Sequence, residues 1–98
     1  MMMPIHELLA RIRWDSSFGH GLFMLGYIDH NTSELRFVPF NDVRPDTHNP
    51  SMLDFVDNRG GVVSVPLHRI YQVLRNGKTI WQRDLPPHVH ASFPRGSV

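Results

Sequence analysis

The dipeptide Asn76-Gly77 constrains the shape of this chain more than any other two residues. It stands between two short runs rich in β-formers, residues 71–75 and 79–83. A two-residue connection between paired strands needs positive φ at both central positions, and Asn followed by Gly meets that demand at the least steric cost. The two runs are therefore expected to form a β-hairpin. Two further segments read the same way. Residues 22–29 and 35–40 flank the turn His30-Asn31-Thr32-Ser33, and residues 52–56 and 62–65 flank Asp57-Asn58-Arg59-Gly60-Gly61. Gly26, inside the first of these strands, marks a bulge or a close backbone approach.

Helical period is confined to the N-terminal segment. Ile5, Leu8, Leu9 and Ile12 recur at i, i+3, i+4 and i+7, Pro4 suits the first turn, and Trp14-Asp15-Ser16-Ser17 ends the stripe. Residues 18–21 read as a flexible connection, and residues 44–51, with two prolines and no period, as a loop. The sum is an α+β domain: one N-terminal helix packed on a curved, mostly antiparallel sheet of five or six strands. An SH3- or Sm-like partial barrel with a leading helix is the alternative. The organised part spans residues 1–83. From Asp84 the chain runs LPPHVHASFPRGSV, without apolar period, so residues 84–98 are expected to be a disordered tail.

Residues 37–43 and 64–70 echo each other. Each carries Val-Pro, an apolar residue, two polar residues and a β-branched apolar residue. Proline removes a ladder donor and stops or bends a strand. A tight turn after it places Phe40 and Val43, or Leu67 and Ile70, on the inner side. His68 and Arg69 are then turned outward at a rigid bend.

Composition limits the chemistry. The 98 residues suit one domain with a modest core, and a formal charge of +1 is too balanced for a non-specific nucleic-acid binder. Any nucleic-acid contact must be local and geometric. No apolar run approaches the ~20 residues that span a bilayer, and no membrane partner is expected. The N-terminus lacks the features of a secretory leader, and the absence of cysteine removes disulfides and thiolate zinc sites. A cytoplasmic location is expected on these grounds.

His68-Arg69 is the first candidate site: guanidinium offers a planar fork to phosphate, and imidazole donates or titrates beside it. The bland alternative is a solvated turn. Arg11-Ile12-Arg13-Trp14-Asp15 is the second, since basic residues interleaved with an aromatic suit single-stranded nucleic acid. Equally, basic residues favour a helix C-terminus, and a tryptophan fills core. Seven histidines raise the question of metal, but His88 and His90 lack closing ligands, so neither a metal nor a cofactor is expected. His30-Asn31-Thr32 and His90-Ala91-Ser92 fit a bare two-histidine phosphoesterase pattern that chance also supplies, and that reading is rejected. No nucleophile elbow or phosphate-binding glycine loop is present, and no catalytic residue is assigned.

Taken in order, Arg11-Ile12-Arg13-Trp14-Asp15, Gly26-Tyr27-Ile28-Asp29, Val38-Pro39-Phe40, Val65-Pro66-Leu67-His68-Arg69-Ile70, Gly77 and Trp81-Gln82-Arg83 resemble the pattern of the RNA cyclic-group-end recognition domain family. The resemblance covers residues 4–83. It implies recognition of RNA termini bearing a 2′,3′-cyclic phosphate or a related end group. It also implies that His68 and Arg69 meet the phosphate, with Arg13, Trp14, Asp15, Tyr27 and Trp81 around them. The chain departs at His30, where the pattern has Arg, and its 44–51 loop is longer.

Three functions follow as expectations. The first is a non-catalytic module that binds RNA termini: His68 and Arg69 read the end, Arg11 or Arg13 contacts backbone, and Trp14 or Tyr27 stacks a base. An RNA-processing protein is a candidate second partner. In the second, His68 with His6 or His20 hydrolyses the cyclic phosphate as a phosphodiesterase. The third is a structural or protein-interaction domain, whose signature is Asp15 bonded to Arg69 with Trp14 and Trp81 buried together.

Overall fold

The structure is a computed structural model that describes residues 3–28, 34–86 and 90–91. Helix α1 runs Ile5–Trp14, with Pro4 at its N-cap and the Pro4 carbonyl accepting the amides of Glu7 and Leu8 at 3.1 Å each. Glu7 lies in the first turn and Arg11 and Arg13 in the last, each sign matching the helix dipole. The expected stripe Ile5, Leu8, Leu9 and Ile12 is buried.

Among the described residues eight strands follow: β1 (Phe23–Ile28), β2 (Glu34–Pro39), β3 (Arg44–Pro45), β4 (Met52–Val56), β5 (Val62–Pro66), β6 (Ile70–Arg75), β7 (Lys78–Gln82) and β8 (His90–Ala91). They divide into two sheets, one in the order β7-β6-β1-β2-β8 and the other β3-β4-β5. All pairs are antiparallel except β2 with β8. The α+β class with a leading helix stands as expected. The strands are shared between two sheets, and neither closes into a barrel, so the partial-barrel alternative is not what forms. All three hairpins are present. Asn76 and Gly77 turn the last at φ 51° and 83°, the positive values that its two-residue connection demands. Part of the expected 44–51 loop is the two-residue edge strand β3, where Pro45 is tolerated because an edge has no neighbour to receive its missing N–H.

The two Val-Pro echoes mark where the chain changes sheet. After Pro39 a 3-10 turn, Phe40–Asp42, leads out of the larger sheet; after Pro66 a second, Leu67–Arg69, leads back. Both prolines hold the same backbone, φ −63° and ψ 137° against φ −64° and ψ 146°. In each turn the following apolar residue closes the ring: the Val43 amide donates to Phe40 and the Ile70 amide to Leu67. A proline cannot extend the ladder it ends, so each turn releases the strand it follows. Phe40, Val43 and Ile70 are buried and Leu67 packs against the core, as the echo predicts.

One cluster joins all layers. Leu25 and Val73, opposite each other on β1 and β6, are fully buried. The α1 stripe packs with them, together with Leu53, Phe55 and Val65 from the smaller sheet. The turn 30–33, Asp29, His88 and most of the expected disordered tail lie outside the described residues. Of the tail, Asp84, Leu85 and Pro86 are described, and His90 and Ala91 lie beside Glu34 and Leu35.

Candidate functional site

The site grows from an irregularity in the central pair of strands. Gly26 lies opposite Gln72, but Tyr27 lies opposite Ile70, so the pairing skips Tyr71. A Cβ on Gly26 would stand 2.8 Å from the Phe37 ring and 3.2 Å from Gln72 Cβ, so the sequence's bulge or close approach is both. Past the irregularity Tyr27 packs with the core, its ring 5.4 Å from that of Phe55 at 59°. Phe55 belongs to the smaller sheet, so the aromatic pair bridges the two sheets at one end of β1.

A groove of about 680 Å³ opens there. Tyr27, Phe55 and Val63 contribute apolar surface, and Arg36, Arg59 and Arg69 contribute charge against one carboxylate, Asp57, among the described residues. That Asp57 carboxylate is turned to the hairpin itself: its Oδ1 accepts the amides of Arg59 and Gly61 at 2.9 Å each. Arg59 thereby sits at a braced tip. Arg36 approaches Glu34 at 3.7 Å, both half-exposed, a geometry worth little in water. The groove fits an anion attached to a flat apolar group.

Two of the residues singled out in the sequence, Arg69 and Tyr27, meet in this groove. His68 does not join them. It is exposed and forms no part of the lining, because a 3-10 turn has three residues per circuit and fans successive side chains about 120° apart. Leu67 takes the inward direction, Arg69 the groove and His68 the solvent. The expected imidazole–guanidinium couple is therefore split by the turn that carries it. Arg83, its guanidinium 5.0 Å from the Trp81 ring and 5.4 Å from the Tyr71 ring, donates weakly from Nη1 to the His68 carbonyl at 3.5 Å.

The N-terminal candidates lie elsewhere. Arg11 stands 4.4 Å over the Phe18 ring, which leans on Phe23 at the start of β1. Phe23 and Tyr27 are four residues apart, about 13 Å along a strand. Arg13 stands 5.0 Å over Phe40. Trp14 is 81% exposed, and Trp81 is 6% exposed within the core, its indole N–H donating to the Met3 carbonyl at 2.6 Å. Trp81 is thus core filling where a stacking wall was expected, because Val73 opposite it on β6 faces the same interior.

Asp15 serves the helix end. Its Oδ1 accepts the amides of Ser17 and Phe18 at 3.0 and 3.2 Å, and its Oδ2 lies 3.7 Å from Arg11 Nε. The Phe18 N–H, with the Ser17 N–H and the Arg11 charge, holds this carboxyl below its ordinary range. The signature expected of a purely structural role, Asp15 bonded to Arg69 and two tryptophans buried together, is not what forms. His6 is exposed on α1, and the His20 carbonyl accepts Arg75 Nε at 2.8 Å beside the opposite end of β1. Neither lines the groove. Among the described residues no three histidine or carboxylate side chains gather as a metal site, and no helix is long and apolar enough to cross a membrane.

Sequence reasoning missed Arg36, Arg59 and Phe55. Phe55 carried only the alternation of a core strand, and Arg59 only the look of a turn residue. Their meeting depends on the packing of one sheet against the other, which no local pattern encodes.

None of the curated proteins and none of the solved structures matches the chain. A family model does match, over residues 2–83, a span that contains α1, β1–β7 and both proline-capped turns. The chain belongs to the family described as the MJ1316 RNA cyclic group end recognition domain.

Proposed function

We propose that this chain is a non-catalytic RNA-binding module that holds RNA ends bearing a 2′,3′-cyclic phosphate or a related terminal group in the groove beside Arg69. One observation carries the reading: Arg69 and Tyr27, from two separate family motifs, line a single recess together with Phe55 and Arg59. A guanidinium presents parallel N–H donors to a pair of phosphate oxygens, and an aromatic face receives the base or ribose next to it. Both requirements are met within one recess. General acid–base opening of a cyclic phosphate needs free titratable groups within reach of the scissile bond, and in the described lining the one carboxylate, Asp57, is engaged by the Arg59 and Gly61 amides of its own hairpin. That favours holding the end over cleaving it, with chemistry left to an RNA-processing partner.

Fluorescence titration with short RNAs ending in cyclic phosphate, 3′-phosphate or hydroxyl tests the reading. The phosphate-bearing ends are expected to bind more tightly than the hydroxyl end. Arg69→Ala should weaken them roughly tenfold or more, the worth of one charged hydrogen bond, whereas His68→Ala should change little. Equal affinity for all three ends, or an unchanged titration with Arg69→Ala, overturns it.

A further inference from the structure

Successive side chains of a strand point to opposite faces of its sheet. Yet Val63, Ser64, Val65 and Pro66, consecutive in β5, all line the groove. A recess that meets every residue in turn reaches the edge of the strand as well as its face, where Met52 and Phe55 of β4 also line it. β5 is the last strand of its sheet, and among the described residues no strand pairs with its outer side. The Asp57 amide donates to the Gly61 carbonyl, a phase that commits Val63 and Val65 to β4 and leaves the Ser64 N–H and C=O and the Pro66 C=O on the outer side. Arg59 and Arg69 join the groove from the two ends of this edge, three residues before Val62 and three after Pro66.

Resting on the RNA-end reading above, we infer that the groove accepts only an end whose last nucleotides are single-stranded, and that Arg59 holds a backbone phosphate of that strand. In a duplex the faces of each base are covered by its neighbours and its pairing edge by the opposite strand. Neither the half-buried Tyr27 ring, backed by the buried Phe55, nor the outer edge of β5 could then reach a base. An unpaired nucleotide offers both: a face for the ring and a row of donors and acceptors for the strand edge. The recess, about 680 Å³, lies within the ~300–1,000 Å³ of small-ligand sites. It therefore matches a segment of one strand and not a helix end. An open strand edge also suits an extended peptide, but three arginines beside the Tyr27 ring favour phosphate and base.

The test compares three RNAs, each made with a 2′,3′-cyclic phosphate and with a 3′-hydroxyl end, by fluorescence anisotropy using the full chain: an unstructured strand, a hairpin with a two-nucleotide 3′ overhang, and the same hairpin with a blunt end. The strand and the overhang should bind alike. The blunt end should bind roughly tenfold more weakly or worse, the loss of at least one stacked base. Arg59→Ala, at an exposed hairpin tip, should leave the melting temperature unchanged. It should weaken overhang binding several-fold and lower the slope of log K against log salt by about 0.7, one phosphate on a single strand. Equal binding of blunt and overhang RNA, with the end-group preference intact, overturns this inference and leaves the RNA-end reading standing. Loss of the end-group preference on every RNA overturns both. An unchanged salt slope with Arg59→Ala removes the role of Arg59. Displacement of the overhang RNA by an acidic extended peptide that binds more tightly assigns the edge to a protein and also overturns the inference.

Discussion

Asn76 does two things at one position. Its φ of 51° turns the β6–β7 hairpin, and its side chain and backbone both reach Leu22: Oδ1 accepts the Leu22 amide at 2.9 Å, and the Asn76 amide donates to the Leu22 carbonyl at 2.7 Å. Asn76→Ala should cost roughly 2 kcal/mol in urea unfolding, about 1 from the hydrogen bond and about 1 from the left-handed backbone. Asn76→Gly should recover the backbone part alone. Asp15 supplies a pH dependence. Its carboxyl is held below its ordinary range chiefly by the Phe18 N–H. A carboxyl whose folded pKa is depressed adds stability that is complete above its unfolded pKa and is lost as pH falls through the folded one. Acid titration followed by carboxyl NMR should place Asp15 below the free-aspartate midpoint. Asp15→Asn should flatten that part of the stability profile.

At the scale of elements, the two tryptophans separate packing from display. Trp14, on the outer surface of α1, should be replaceable by Ala within about 0.5 kcal/mol, as for other surface positions. Trp81→Ala should cost about 3–5 kcal/mol, because it empties core and leaves the Met3 carbonyl without its donor. Thermal melts and acrylamide quenching of single-tryptophan variants check both. The proline-capped turns act as switches between sheets, and the second aims Arg69 at the groove while sending His68 away. At the centre of the larger sheet, Gly26→Val would drive methyl groups into Phe37 and Gln72. It should destabilise by about 1–3 kcal/mol and should disturb Tyr27, one residue on, so RNA-end binding should fall with it.

For the molecule as a whole, a single cluster links α1 and both sheets. Heat or urea should therefore unfold it in one transition, with far-ultraviolet circular dichroism and Trp81 emission changing together. The smaller sheet is inserted in sequence between two strands of the larger one, and the groove lies where its Phe55 packs against Tyr27. Much of this was written locally. The helix followed from the spacing of Ile5, Leu8, Leu9 and Ile12, and the hairpins from their turns. The paired bends followed from Pro39 and Pro66. Each is a matter of backbone preference or of periodic burial within a few residues, which neighbouring residues settle among themselves. The division of the strands into two sheets, the burial of Trp81 and the sharing of one groove by Arg59, Arg69 and Tyr27 were decided only by tertiary packing. They join residues far apart in sequence, and such contacts are selected by which apolar faces the whole chain can bury at once.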